Sequence, residues 1–378
     1  MASTVVQTEP TNAVGRLSTR NDGPLVSADN EWSPLKAVIV GRAEGSAFPS
    51  ELAHMMAATM PAEHLANFKQ SNPFPAEILT KAQEELDNLA ALLRDQGIRV
   101  YRPNKVDWLK VGGYTGAMPR DGLMTVGSTV IEAPFAWTCR RQEIKLAYTG
   151  ILDELVSGGA VRICRAPLIA GNDSLYDHVS QRQAVGSNGN TKHSHGWAIN
   201  NSRPAFDTAD FMRFGKTIIG QLSHVTNRRG VQYLQAMVPE GYRVELLDTT
   251  DEHAMHIDAT ILPLRKGLLV YNPQRVTESS LRQHTVFQDW ELHSYPFEPL
   301  PRGPDSPPLY MCSPWLVLNA LSLDDKRIVV EANDTQFASW VKDKFGMEPI
   351  MCPFQHVHSI GGSFHCATVD LVRLDGNE

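Results

Sequence analysis

The chain has 378 residues, 42% of them hydrophobic and 20% charged, with a formal net charge of −7. No apolar run is long enough to span a bilayer, and the negative balance argues against nucleic acid or an anionic membrane as the main partner. The five cysteines, Cys139, Cys164, Cys312, Cys352 and Cys366, are odd in number, widely spaced and free of any CxxC pair, which argues for a reducing compartment and against a disulfide framework or zinc ribbon.

In chain order, residues 1–29 are polar and aperiodic and read as a mobile tail without the apolar core of a secretory signal. Arg16 and Arg20 leave a mitochondrial transit peptide as the alternative to a cytoplasmic protein. Lys36-Ala37-Val38-Ile39-Val40 reads as a buried strand ending at Gly41. Ile78, Ala82, Leu86, Leu89, Leu92 and Leu93 have helical spacing over 76–96, and a strand follows at 98–101. Two strands, 123–126 and 129–132, turn about Gly127-Ser128. A helix over 140–156 leads to a strand at 161–164, a polar loop over 171–196 and a hairpin turning at Gly215. A helix at 231–237, a strand at 242–247 and a hairpin turning at Lys266-Gly267 repeat that order. A weaker lead-in (279–295) and a Pro-rich loop (298–308) precede a turn at Asp324-Asp325 and the strand 327–330. Helix 337–345, strand 350–352 and a final hairpin ending at Val372 make the fifth copy, which the opening strand can close.

Five degenerate copies of one module imply a ring rather than independent domains. The expected fold is α/β, a five-bladed pseudo-symmetric propeller of ββαβ modules, with 30–378 as one domain. The loop entering each hairpin carries polar residues that packing does not require: Asp121, Asp210, His256 with Asp258, Cys312 with Ser313, and Cys366. In a ring these loops face one centre.

Cys366 follows Gly361-Gly362-Ser363, where small residues let the backbone approach a ligand. A thiolate is a strong nucleophile at neutral pH, although a lone buried thiol is also a common core residue. Carboxylates such as Asp121 and Asp258 can grip a guanidinium through paired hydrogen bonds. Met255-His256-Ile257-Asp258 alternates, which would put His256 and Asp258 on one strand face as acid/base and cation ligand, with Asp210 orienting the imidazole. Arg275 can hold a substrate carboxylate. His365 would point away from the thiol on a strand. Each residue also has a plainer reading as a cap, a turn residue or a surface charge. His193-Ser194-His195 and His356-Val357-His358 have spacing for two metal ligands but no third at motif spacing, so no metal is expected. Dinucleotide, P-loop and hydrolase-elbow motifs are absent.

Asn30-Glu31-Trp32-Ser33-Pro34-Leu35, Val38-Ile39-Val40-Gly41-Arg42-Ala43-Glu44, Ala117-Met118-Pro119-Arg120-Asp121, Ile131-Glu132-Ala133-Pro134, Phe206-Asp207-Thr208-Ala209-Asp210-Phe211, Met255-His256-Ile257-Asp258-Ala259-Thr260, Asn272-Pro273 and Ser363-Phe364-His365-Cys366-Ala367-Thr368 together resemble the arginine amidinotransferases, above all the arginine:glycine enzymes. The resemblance runs from Asn30 to Leu374. It implies the five-bladed propeller of the guanidine-modifying enzymes, a homodimer, and no metal or organic cofactor. Cys366 would attack the guanidino carbon of L-arginine, ornithine would leave, and an amine acceptor would take the amidino group, giving guanidinoacetate when that acceptor is glycine. His256 would be the acid/base with Asp210 its partner. Asp121 and Asp258 would bind the guanidinium, and Met255, Arg275, Cys312 and Ser313 would contact the rest of the substrate. The chain departs from the glycine-using pattern at His253-Ala254, Thr115-Gly116, Cys312 and Ser363. Glycine remains the expected acceptor, other amines the alternative, and water, as in arginine deiminases, the less favoured one.

Overall fold

The computed structural model describes residues 23–60, 66, 69–167, 169, 175, 196–299, 306–307 and 311–374. Strand β1 (Leu35–Val40) pairs in parallel with β2 (Arg99–Tyr101) across the crossover helix Ala76–Asp95. That helix buries Ile78, Ala82, Leu86, Leu89 and Leu93, one stripe at three- and four-residue spacing. Leu89 is fully buried, and its truncation to Ala is expected to cost about 2–5 kcal/mol.

The hairpin β3 (Leu123–Val126) and β4 (Thr129–Glu132) gains β5 (Arg162–Cys164) in parallel beside β4. The pattern recurs in β6 (Phe211–Phe214), β7 (Thr217–Gly220) and β8 (Arg243–Leu246), and again in β9 (Ile261–Arg265), β10 (Leu268–Tyr271) and β11 (Glu291–Ser294). It recurs once more in β12 (Leu321–Ser322), β13 (Arg327–Glu331) and β14 (Glu348–Cys352). The last strand, β15 (Thr368–Arg373), pairs antiparallel with β1, so one sheet holds both ends of the described chain. Among the described residues there are five three-stranded sheets, each an antiparallel pair plus one parallel strand.

Burial explains why the middle strands read as continuous apolar runs. β3, β4, β6, β7 and β10 are buried at every position, whereas β8 and β11 are partly or fully exposed throughout. Charges on those outer strands, such as Arg243, Glu245 and Glu291, guard the free edges. The hairpins turn through Gly127, Gly215 and Gly267, all with positive φ, which only glycine adopts without strain.

Four expectations change. The helix over 140–156 is a 3-10 turn (Thr138–Arg140), a π-helical stretch (Ile144–Tyr148) and an α-helix (Thr149–Gly158), because Arg140 turns fully inward to carboxylates and the Tyr148 hydroxyl donates to Gly116 O at 2.9 Å. The lead-in 279–295 contains the strand β11, hidden in the sequence because it is a half-exposed parallel edge. Of the tail expected over 1–29, residues 1–22 lie outside the described residues. Residues 26–28 are part of the fold: Val26 and Ala28 are buried, and Ser27 N–H donates to Leu371 O at 2.7 Å. Finally, Met255–Asp258 is not a strand. His256 has φ 71° and precedes a 3-10 turn over Ile257–Ala259.

The interior also holds charges. Arg213 binds Glu31 and Asp370 at 2.7 Å each, Arg120 binds Asp370 at 2.9 Å, and Arg373 binds Asp370 at 2.7 Å. These groups join the N-terminal segment, the β3 and β6 entries and β15. Neutralising one partner would strand a buried charge, at a cost of about 3–5 kcal/mol.

Candidate active site

Cys366 sits in the turn just before β15, 3% exposed, on the wall of a cavity of about 380 Å³. Gly362 is required beside it: a Cβ there would lie 2.7 Å from the Cys366 Cβ and 2.4 Å from Met118 Sδ. Asn319 clamps the cysteine from both sides, Nδ2 lying 3.2 Å from Sγ and Oδ1 accepting from the Cys366 N–H at 3.1 Å. The thiol faces Asp258 Oδ2 at 3.2 Å. Sγ, an imidazole nitrogen of His256 and a carboxylate oxygen of Asp121 all lie within 4.8 Å of one another.

His256 is held at its backbone and at its ring by different acids. Its N–H donates to Asp210 Oδ1 at 2.9 Å, and Asp210 also accepts from Gln221, Ser223 and Thr226. These bonds hold a non-glycine residue at positive φ, a strain of about 1–3 kcal/mol. The ring is bound by Asp207, whose Oδ2 is 3.1 Å from Nε2, while Asp121 Oδ1 stands 3.7 Å from Nδ1. Arg140 Nη1 bridges Asp121 Oδ2 at 2.8 Å and Asp207 Oδ2 at 3.3 Å. Asp121 Oδ1 and Trp137 Nε1 are buried, accept or donate no hydrogen bond among the described residues, and belong to residues lining the cavity.

Burial pushes the Cys366 thiol up to about 12, with Asp258 adding to the effect and His256 opposing it. Burial works against the charged imidazole of His256, but Asp121 and Asp207 overcome it and hold the ring protonated well above its usual range. For Asp258, burial is outweighed by the hydrogen bond and charge of His365, so its carboxyl lies below the ordinary range. The free site is thus a neutral thiol between an imidazolium and a carboxylate. The three donors of Asp121, His256 and Cys366 could reach one metal ion, but Asp121 already shares Arg140 and the imidazole holds its proton, so the cluster suits proton transfer and nucleophilic attack better.

No protein-family model matches the chain. It is 38% identical over 362 residues to an L-arginine:L-lysine amidinotransferase of Pseudomonas savastanoi pv. phaseolicola, covering 92% of this chain and 94% of that one. It is 35% identical to the mitochondrial glycine amidinotransferase of Xenopus tropicalis, covering 92% and 83%. Among solved structures, an amidinotransferase of the saxitoxin biosynthetic pathway from Microseira wollei superposes with a TM-score of 0.80 at 31% identity, over 93% of this chain and 98% of that one. The chain belongs to the amidinotransferase family.

In this amidinotransferase the residues expected to meet at the cavity are Cys366, His256, Asp258, Asp121, Met255, Arg275, Cys312 and Ser313, and all eight line it. Asp210 does not. The ring of His256 is met by Asp207 rather than by the expected Asp210: the 3-10 turn Thr208–Asp210 leaves Asp207 facing the ring, while Asp210 binds its own hairpin and the His256 backbone N–H. Arg275 is bound to Asp251 at 2.8 Å and to Ser313 Oγ at 3.0 Å, and the Cys312 thiol donates to His358 O at 3.0 Å. His365 binds Asp258 and Glu31, so it faces the site's carboxylate rather than pointing away along a strand. His356 is bound to Glu85 and His358 to Ser363, while His193 and His195 lie outside the described residues. Asn319, Arg140, Trp137 and Asp251 were not singled out from the sequence. Asp207 stood in a motif with Asp210, and spacing alone does not separate the two.

Proposed function

We propose that this amidinotransferase moves the amidino group of L-arginine to an amino-acid amine through an amidino-cysteine on Cys366. The convergence of Sγ, the His256 ring and Asp121 within 4.8 Å carries this reading. Asp258 and Asp121 Oδ1, which makes no hydrogen bond among the described residues, take the guanidinium. That cation offsets the anion that made thiolate formation costly, so the thiol ionises as substrate arrives. The sulfur attacks the guanidino carbon, His256 passes its proton to the departing nitrogen, and ornithine leaves. The acceptor amine then attacks the amidino carbon, His256 takes up the amine proton, and the C–S bond breaks to release the thiolate, which regains from solvent the proton it gave up to solvent when arginine bound. Arg275 with Ser313 receives the substrate carboxylate, and Met255 and Cys312 border the chain between.

Glycine and lysine are the acceptors named among the relatives. The chain is 38% identical to the lysine enzyme and 35% to the glycine enzyme, and it departs from the glycine-using pattern at His253 and Cys312, so lysine or a similar ω-amine is read ahead of glycine. We further read the five sheets as blades of one closed α/β propeller, supported by their common strand order and by the sheet that β1 shares with β15.

The test is incubation with arginine alone and then with glycine, lysine or water as acceptor. Ornithine release, a mass gain of one amidino group on Cys366, and turnover only when an amine is added support transfer. Citrulline instead of ornithine would establish hydrolysis. Cys366→Ala is expected to bind arginine and release no ornithine.

A further inference from the structure

The wall of the cavity carries an ion pair that the transfer chemistry leaves unexplained. Arg275 Nη2 stands 2.8 Å from Asp251 Oδ2, and the two side chains are only 11% and 14% exposed. Both line the cavity that contains Cys366. Their placement does not depend on a ligand. Thr250 N–H donates to Arg275 O at 2.9 Å, the Thr250 hydroxyl donates to Gln274 O at 3.0 Å, and His253 N–H donates to Asp251 Oδ1 at 3.0 Å.

Arginine carries three charged groups. Its guanidinium goes to Asp258 and Asp121, and its carboxylate to Arg275. A carboxylate arriving at Arg275 meets the Asp251 carboxylate already there, two anions on one cation in a pocket largely shielded from water. Such like-charge juxtaposition costs binding energy. The α-ammonium, on the same carbon as the substrate carboxylate, is the group that removes the clash. Asp251 has room for it. A carboxylate accepts at about four lone-pair sites, and its named partners are Arg275 and His253.

We propose that Asp251 is a specificity-determining residue that receives the α-ammonium of the amidino donor, so that Asp251 and Arg275 together read a zwitterionic amino-acid head. The assignment rests on the transfer reading above. It extends to the second half-reaction: lysine presents the same head to the same pair while its terminal amine reaches the amidino-cysteine, and an amine without that head does not.

The experiment compares arginine with 5-guanidinopentanoate, which lacks only the ammonium, and follows release of ornithine or 5-aminopentanoate by wild type and Asp251→Asn. Wild type is expected to prefer arginine in kcat/KM by about 10- to 100-fold, the range of a hydrogen bond to a charged group. In Asp251→Asn the preference is expected to shrink to within about threefold, with 5-guanidinopentanoate unchanged or improved. If both substrates fall by the same factor and the preference survives, Asp251 merely braces Arg275 and the proposal is overturned. A wild type with no preference overturns it too. Asp251→Ser serves as a second variant should thermal melting show the amide unfolded. Wild type that releases no ornithine from arginine removes the transfer reading itself, an outcome distinct from a lost or retained preference.

Discussion

His365 Nδ1 lies 2.8 Å from Asp258 Oδ2, the same oxygen that faces Cys366 Sγ at 3.2 Å. One buried carboxylate therefore answers to two neighbouring residues of one turn. Its low proton affinity comes from the first of them, since the His365 hydrogen bond and charge outweigh burial. His365 is anchored in turn by Glu31 at 3.3 Å, which is itself bound to Arg213.

Replacing His365 with Gln removes the charge that keeps Asp258 ionised. In the proposed mechanism Asp258 must be ionised to grip the guanidinium, and its carboxyl will then protonate at higher pH. The acid limb of the kcat/KM profile for arginine is expected to move upward, and the pH-independent value to fall about 10- to 100-fold, as for loss of a hydrogen bond to a charged group. Steady-state ornithine release across about pH 5–8, where proteins tend to be most stable, tests this, and an unmoved acid limb refutes it.

The two acids on His256 have separable roles. Asp207→Asn removes the anion at Nε2 and is expected to lower kcat by about 10²–10⁴-fold, the usual worth of a positioned acid/base group. Asp210→Asn instead places an amide among donors from Gln221, Ser223, Thr226 and the His256 N–H. Its main effect is a loss of about 1–3 kcal/mol of stability. Kinetics normalised to folded protein, beside thermal melting, separate them. Equal kcat losses at unchanged melting temperature would contradict the division.

Much of the fold was legible because strand pairs leave local marks. The apolar run Leu123–Val126, the turn at Gly127 and the run Thr129–Glu132 coincide with β3 and β4. The edge strand β11 was not legible, since Glu291 and Ser294 are exposed and carry no apolar alternation. In the site, the residues that converge from hairpin entries could be named from position. Their wiring could not. Whether Asp207 or Asp210 meets the imidazole depends on a single 3-10 turn. Asn319 touches Cys366 across 47 residues of chain, and Asp251 reaches Arg275 from the opposite side of a hairpin.

Asp334 offers a test of pH linkage away from the site. It precedes the helix Thr335–Phe345 without making a side-chain cap bond, and burial together with Glu331 raises its carboxyl to about 7. The folded state therefore holds this proton more tightly than the unfolded chain. Its contribution to stability is complete below about pH 4 and is lost as pH rises through 7. Asp334→Asn, which cannot ionise, is expected to melt like wild type at pH 4 and higher than wild type at pH 8. The gain is about 1–2 kcal/mol, since partial solvent access screens part of the shift. A variant less stable than wild type at pH 8 would reverse the argument.

The resting thiol gives the sharpest test of how the nucleophile is made. With Cys366 raised to about 12 by burial and by Asp258, free enzyme at neutral pH holds almost no thiolate. Alkylation of Cys366 by iodoacetamide is therefore expected to be slow at pH 7 and to climb about tenfold per pH unit toward pH 10. Asp258→Asn removes the nearby anion that opposes ionisation. The variant is expected to alkylate faster than wild type at pH 8 while losing ornithine release, because in the proposed mechanism the group that suppresses the thiolate in the empty site is the one that holds the guanidinium in the occupied site. Peptide mapping locates the adduct among the five cysteines, all of which are buried. Slower alkylation in Asp258→Asn would mean that Asp258 activates the thiol directly, and the substrate cation would then have no part in its ionisation.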